Sequence, residues 1–352
     1  MSKPSEVQVL LQELVRVPSL SGQEDAVLVR LAAWLRARGL SPVVRGRNLS
    51  VRVGRGDGPT LLLHSHTDTV PVGSDWTRDP FGGKVEAGRL YGRGANDAKG
   101  CVAAMAAAVA ALSREDLPGT VIFAATCEEE RGEHGFGACH PNLGPLDGAV
   151  FGEPTGLHPA VAQRGMLLLT LTAKGVAGHA ARPHLAVNAI EAAARDVIAL
   201  ASLDLSPESE HLGRTTLAVT QIAGGKVHNV IPDRCELGVD LRTVAELPPA
   251  ELIARIRQVV ESEVAVRSDR FHPVATPEGS RLARAVRAAH PEGVPFGSPT
   301  LSDWAHLPDV PGVKLGPGLS EVSHTADEWI EVAQVERAVE VYAAIARAFV
   351  AG

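Results

Sequence analysis

Apolar positions in the first half of the chain alternate between helical and strand-like spacing. Residues 5–17 carry apolar side chains at helical intervals, and Ser21-Gly-Gln-Glu24 has the form of a capping box opening a second helix that runs to Gly39. Residues 43–53 predict a hairpin. The short continuous apolar runs 60–64, 120–125 and 149–151 predict strands buried on both faces, and the alanine-rich stretch 99–113 predicts a helix among them. Apolar strands alternating with helices specify an α/β sheet covered on both sides.

The middle of the chain changes character. Residues 167–173, 215–222 and 234–242 alternate with period two, as half-exposed strands do, and helices are expected near 186–202 and 248–264. After them the α/β pattern resumes with a helix at 279–289, an apolar strand at 313–315 and a last helix at 333–350. Since single cores stop growing at roughly 250–300 residues, a chain of 352 residues is expected to divide. The pattern predicts a catalytic domain in two parts, 1–162 and 273–352, interrupted by an inserted α+β lobe over 163–272.

Composition narrows the function. Hydrophobic residues make up 45% and charged residues 21% of the chain, as in ordinary globular proteins. A net charge of −7 and a basic complement with only six lysines give no positive field for a general nucleic-acid binder. The opening Met1-Ser-Lys-Pro-Ser-Glu lacks the charged start and apolar stretch of a signal peptide, and the most apolar segment, 102–112, is about half the length that spans a bilayer. Cys101, Cys127, Cys139 and Cys235 show no paired spacing and are read as idle thiols of a reducing compartment, with the cytoplasm expected.

In open α/β sheets ligands bind beyond the carboxyl ends of the strands, so the residues just past each apolar run are the ones to test. There the sequence places His64-Ser-His66-Thr-Asp68, Glu128-Glu129-Glu130, Gly152-Glu153-Pro-Thr155 and Ser323-His324-Thr325, while Gly92-Arg-Gly-Ala-Asn-Asp97 brings a further carboxylate just before a helix. Imidazole and carboxylate suit zinc, cobalt or manganese. Each element alone is commonplace; ligand-type side chains at four separate strand ends are not. No Gly-x-Ser-x-Gly elbow and no His-Glu-x-x-His motif occurs, which disfavours a serine hydrolase and a thermolysin-like protease.

These segments, together with Gly178-His-Ala-Ala-Arg-Pro183, His228-Asn-Val-Ile-Pro232 and Ser323-His-Thr-Ala-Asp-Glu-Trp329, resemble in order and spacing the two-zinc metallopeptidase family of acetylornithine deacetylase, succinyl-diaminopimelate desuccinylase and aminoacylase. The resemblance implies a zinc-peptidase-like α/β catalytic domain with a mixed central sheet and an inserted lid and dimerisation domain. It implies two zinc ions, with cobalt a possible substitute. His66 and Glu153 would hold one metal and Glu130 and His324 the other, with Asp97 between them. Asp68 would orient His66, Glu129 would be the general base with Glu128 as its rival, and His64 would be structural. In the inserted lobe, His179 would stabilise the oxyanion, from the partner subunit in some relatives, and Asn229 and Arg242 would hold substrate. The motifs look most like the acetylornithine deacetylase branch, implying hydrolysis of an N-acetyl amino acid in arginine or lysine biosynthesis by a homodimer. A desuccinylase and a dipeptidase or carboxypeptidase are the alternatives. A non-catalytic binding protein on the same fold is disfavoured because every ligand position and the base carry competent residues.

Overall fold

The computed structural model describes residues 3–132 and 135–352. The chain forms two compact units, one comprising Met1–Val161, Ala275–Phe296 and Ser302–Gly352, the other Ala162–Val274 and Gly297–Leu301.

The first unit is built on a mixed sheet. Thr60–His66 lies at its centre, parallel to Thr120–Thr126 on one side and to Gly148–Phe151 on the other. Gly312–Lys314 extends the sheet in parallel beyond Gly148–Phe151, and Asn48–Gly54 with Val43–Arg45 closes the opposite edge antiparallel. Every residue of Thr120–Thr126 is buried, as expected of a strand covered on both faces. Because side chains alternate along a strand, Leu61 and Leu63 enter the main core with the helices Gly100–Leu112 and Val332–Ala351, whereas Leu62, His64 and His66 face the other way. On that second face His64 packs against Phe136 and Phe151, and Trp304 stacks on Phe151.

The capping-box expectation is corrected here. The second helix runs Asp25–Arg36 without a side-chain cap, because the Ser21 hydroxyl is drawn away to donate to Asp68 at 2.6 Å. Glu24 is diverted too: it accepts from the Gly22 and Glu128 amides and pairs with Arg47. Three short strands, Lys84–Glu86, Arg89–Tyr91 and Trp329–Glu331, form a small separate sheet that the apolar pattern did not reveal.

The second unit carries a four-stranded antiparallel sheet in the order Thr216–Gly224, Arg234–Thr243, Gly165–Lys174, Glu263–Phe271. The two central strands alternate strictly, and their buried face packs with the helices Ala189–Ala201 and Pro249–Val259. The helix expected over 248–264 stops at Val259, and Glu263–Phe271 is a strand instead. That strand is mostly exposed, so its sequence lacks the apolar alternation that marks its neighbours. No helix among the described residues is long and apolar enough to cross a membrane. All four cysteines are buried and unpaired.

Candidate active site

His66, Glu130 and Glu153 sit where buried strands give way to loops, and His324 follows the short turn Ser320–Val322. His66 is the last residue of Thr60–His66, where its side chain is 1% exposed. Asp97 lies in an irregular turn over Ala95–Lys99 that leads directly into the helix Gly100–Leu112. The turn begins at Gly94, whose φ of +80° suits glycine and where a Cβ would lie 2.5 Å from Thr69 Cγ2. Glu128 and His324 both adopt left-handed backbone, at φ +56° and +63°. Such conformations in residues other than glycine collect at functional sites, where surrounding contacts hold them.

The distances describe a site of the right size for metal. His66 Nε2 is 3.2 Å from Asp97 Oδ1, His324 Nε2 is 3.6 Å from Asp97 Oδ2, and His324 Nε2 is 2.9 Å from Glu130 Oε1. Asp97 thus turns one oxygen to each histidine. Donor atoms of His66, Asp97 and Glu130 lie within 4.8 Å of one another. Donors at about 2.1 Å from a tetrahedral zinc stand about 3.4 Å apart, so the spacing fits an ion between them.

Electrostatics point the same way. Burial, reinforced by Asp97 and Glu130 and opposed by His66, pushes the Glu153 carboxyl up to about 7. Burial and then the charge of Glu153 hold Glu129 well above the usual carboxylate range. At His66, burial disfavours the charged ring, but Asp68 and Asp97 on its two sides outweigh it and raise its proton affinity well above the ordinary value. A divalent cation placed between these groups would relieve the crowding of carboxylates and replace the proton on His66. The residues present fit such an ion.

Around the ligands lies a shell of fully buried supports. Asp68 faces His66 Nδ1 at 3.3 Å and accepts from the Glu129 and Glu130 amides at 3.1 and 3.2 Å, so one carboxylate orients a histidine and fixes the acidic loop. Glu328, absent from the sequence-based candidates, accepts from the Asn96 and Asp97 amides and pairs with buried Arg93 at 2.6 Å. Asn96 then grips the backbone of Leu319 through both amide atoms and donates to Ser323. The turn bearing Asp97 and the segment bearing His324 are therefore fastened as one piece. Asp303, pushed up to about 8 by burial, lies near His64 and His306. His64 itself is kept neutral by burial and meets Thr126 Oγ1 at 2.8 Å. Glu328 sits inside a motif the sequence displayed, Ser323-His-Thr-Ala-Asp-Glu328, but nothing in its local pattern shows which backbone amides it serves.

Glu128 and Glu129 part company. Glu128 is buried and held by Arg47 Nη2 at 2.6 Å, whereas Glu129 lies within the field of the candidate ligands Glu153, His66 and Glu130.

The remaining candidates belong to the second unit. His179 is exposed on the two-residue strand Gly178–His179, paired with Val230–Ile231, and its Nδ1 accepts from the Ala181 amide at 3.0 Å. That leaves Nε2 as its donor. Asn229 is exposed beside it, its carbonyl accepting from Ala180. Arg242 lies on Arg234–Thr243 and is already engaged by Asp240 through Nε at 2.8 Å and Nη2 at 3.2 Å, so part of its fork is taken.

Known proteins match the chain over nearly its whole length. The model of peptidase family M20/M25/M40 matches residues 62–348. A succinyl-diaminopimelate desuccinylase of Cereibacter sphaeroides is 35% identical, across 96% of this chain and 97% of its own, and one of Dinoroseobacter shibae is 33% identical over 97% and 98%. Among solved structures, aminopeptidase PepT from Bacillus cereus superposes with a TM-score of 0.83 at 22% identity, covering 98% of each chain. The YXEP protein of Bacillus subtilis, described as a dinuclear metal binding peptidase, superposes at 0.78 and 18% identity, also over 98% of each. The chain belongs to peptidase family M20/M25/M40 and is a metal-dependent hydrolase of amide bonds.

Proposed function

We propose that the protein removes an acyl group from the amine nitrogen of an amino acid at a two-metal centre. The observation that carries this reading is Asp97 lying between His66 and His324, one oxygen toward each, with Glu130 beside His324. His66 and Glu153 would hold one ion and Glu130 and His324 the other, with Asp97 shared. The nitrogen and oxygen donors suit zinc, with cobalt as a substitute. Bound there, the pair of ions would polarise the amide carbonyl and render water nucleophilic at neutral pH.

The chain's own residues do the rest. Glu129 takes a proton from the attacking water and returns it to the amide nitrogen, so that the amine departs neutral as the C–N bond breaks. The pairing of Glu128 with Arg47 favours Glu129 for this role. Asp68 keeps His66 in one orientation and the Glu129 backbone in place. His179 Nε2 would donate to the oxyanion, and Asn229 and Arg242 would hold the substrate, Arg242 by exchanging Asp240 for a substrate carboxylate. The second unit exposes Leu185, Ile198, Ile222 and Val227, each more than half accessible, which supports assembly of a homodimer through it.

The relatives favour succinyl over the acetyl group that the motifs suggested, and with it a succinylated diamino acid of lysine biosynthesis over acetylornithine. A panel on metal-loaded protein decides: N-succinyl-L,L-diaminopimelate, N-acetylornithine, N-acetyllysine, N-acetylcitrulline and simple dipeptides. The succinylated compound is expected to give the highest kcat/KM. Preference for a dipeptide would overturn the acyl-amino-acid reading.

A further inference from the structure

We propose that a second groove in the first unit binds a small polyanion, and that its occupancy is transmitted to the loop bearing Glu129 and Glu130. The groove lies between the hairpin Val43–Arg45 and Asn48–Gly54 and the segment 138–143. Its volume is about 390 Å³, the size of a metabolite site.

Its charge is what sets it apart. Arg45 and Arg52 both line it, and among the described residues no acidic one does. Arg45 Nη1 donates to Asn142 Oδ1 at 2.7 Å and Arg52 to the Leu143 carbonyl, so both guanidinium groups are steadied by neutral acceptors on one short segment. Among the described residues neither pairs with a carboxylate. Each guanidinium has five N–H donors in a fixed fork, most of them still available for carboxylate or phosphate oxygens. Ser41 and Ser50 add hydroxyls along the walls. In a chain of net charge −7, two uncompensated arginines facing one cavity create a local positive field that selects anions.

The same hairpin is wired to the catalytic loop. Asn48, at the groove wall, accepts from the Cys127 amide at 3.1 Å and donates to the Gly135 carbonyl at 3.4 Å, holding the chain on either side of Glu129 and Glu130. Its neighbour Arg47 binds Glu128, and Glu24 joins them by accepting from the Glu128 amide. An anion that draws Arg45 from Asn142 pulls on the turn shared by Arg47 and Asn48, and so on the loop.

The test is calorimetric titration of metal-loaded enzyme with tricarballylate at low ionic strength, where exposed charges are least screened. Saturable binding is expected in the native chain, and its dependence on Arg45 and Arg52, which lie outside the metal centre, separates the groove from that centre. In the double variant Arg45→Gln/Arg52→Gln binding should weaken by about tenfold or more. Its thermal midpoint and basal turnover should stay native, since both side chains are exposed and outside the catalytic set. In the native enzyme, saturating tricarballylate should shift kcat by about threefold with metal content unchanged, and this response should vanish in the double variant. Equal affinity in the double variant, or no saturable binding in the native chain, overturns the site. Binding without any change in kcat overturns the transmission.

Discussion

The buried candidate metal ligands of the first unit, His324 at 50% exposure being the exception, and the candidate substrate residues of the second are held in opposite ways. His66 and Asp68 are fully buried, and Asp97 and Glu130 nearly so; each is fixed by further buried groups, notably Ser21, Asn96, Arg93 and Glu328. His179 and Asn229 are exposed and hang from a ribbon of two residue pairs. A charge taken from water needs partners on every side, so the first set is over-determined by construction. The second has no such requirement and is free to meet a substrate. Substitutions of the buried ligands and their supports in the first unit should therefore disturb metal affinity or stability, whereas those of the exposed residues in the second, and of Glu129, should act on turnover.

The sharpest test of that contrast is Glu129→Gln beside Glu128→Gln. Replacing Glu129 should lower kcat by about 10²–10⁴-fold with metal retained, since only the proton carrier is lost. Replacing Glu128 removes one of the two carboxylates that pair with Arg47, the other being Glu24, and should cost about 1–3 kcal/mol in urea unfolding while kcat falls far less. Were the two kcat effects reversed, the base would be Glu128. Next in size, His179→Ala should reduce kcat by about 10²–10³-fold with an unchanged thermal midpoint. An unaltered kcat would remove His179 from the chemistry. Glu328→Gln should weaken metal binding by about 10–100-fold and change the visible spectrum of the cobalt-loaded enzyme, because the Asp97 turn loses its anchor. A native spectrum would reduce Glu328 to a packing residue. The smallest effect belongs to Ser21→Ala, which removes one hydrogen bond to Asp68. About 1 kcal/mol of stability should be lost in urea titration, and no change at all would mean that Asp68 is held by the loop amides alone.

Much of the fold was legible because buried strands are written as unbroken apolar runs. The runs at 60–64, 120–125 and 149–151 appear in the structure as Thr60–His66, Thr120–Thr126 and Gly148–Phe151. The strand Glu263–Phe271 was not legible, since an exposed strand has no apolar face to display. Ser21 and Glu24 misled for a different reason. Their spacing is that of a helix cap, but a buried aspartate and a half-buried arginine compete for the same side chains more strongly than the helix end does.

The sequence by itself determined which residue types stand at the ends of the buried strands, and hence that metal chemistry was to be sought there. Where strands and loops fall along the chain follows from apolar pattern, which is local. Only the tertiary structure decided which of the adjacent glutamates faces the array and what binds Asp97 to the His324 segment. Glu128 is claimed by Arg47, 81 residues earlier in the chain, and the Asp97 turn is held by Glu328, 231 residues later. Charges and hydrogen bonds act through space over a few ångströms, so partners that far apart along the chain leave no mark in its periodicity.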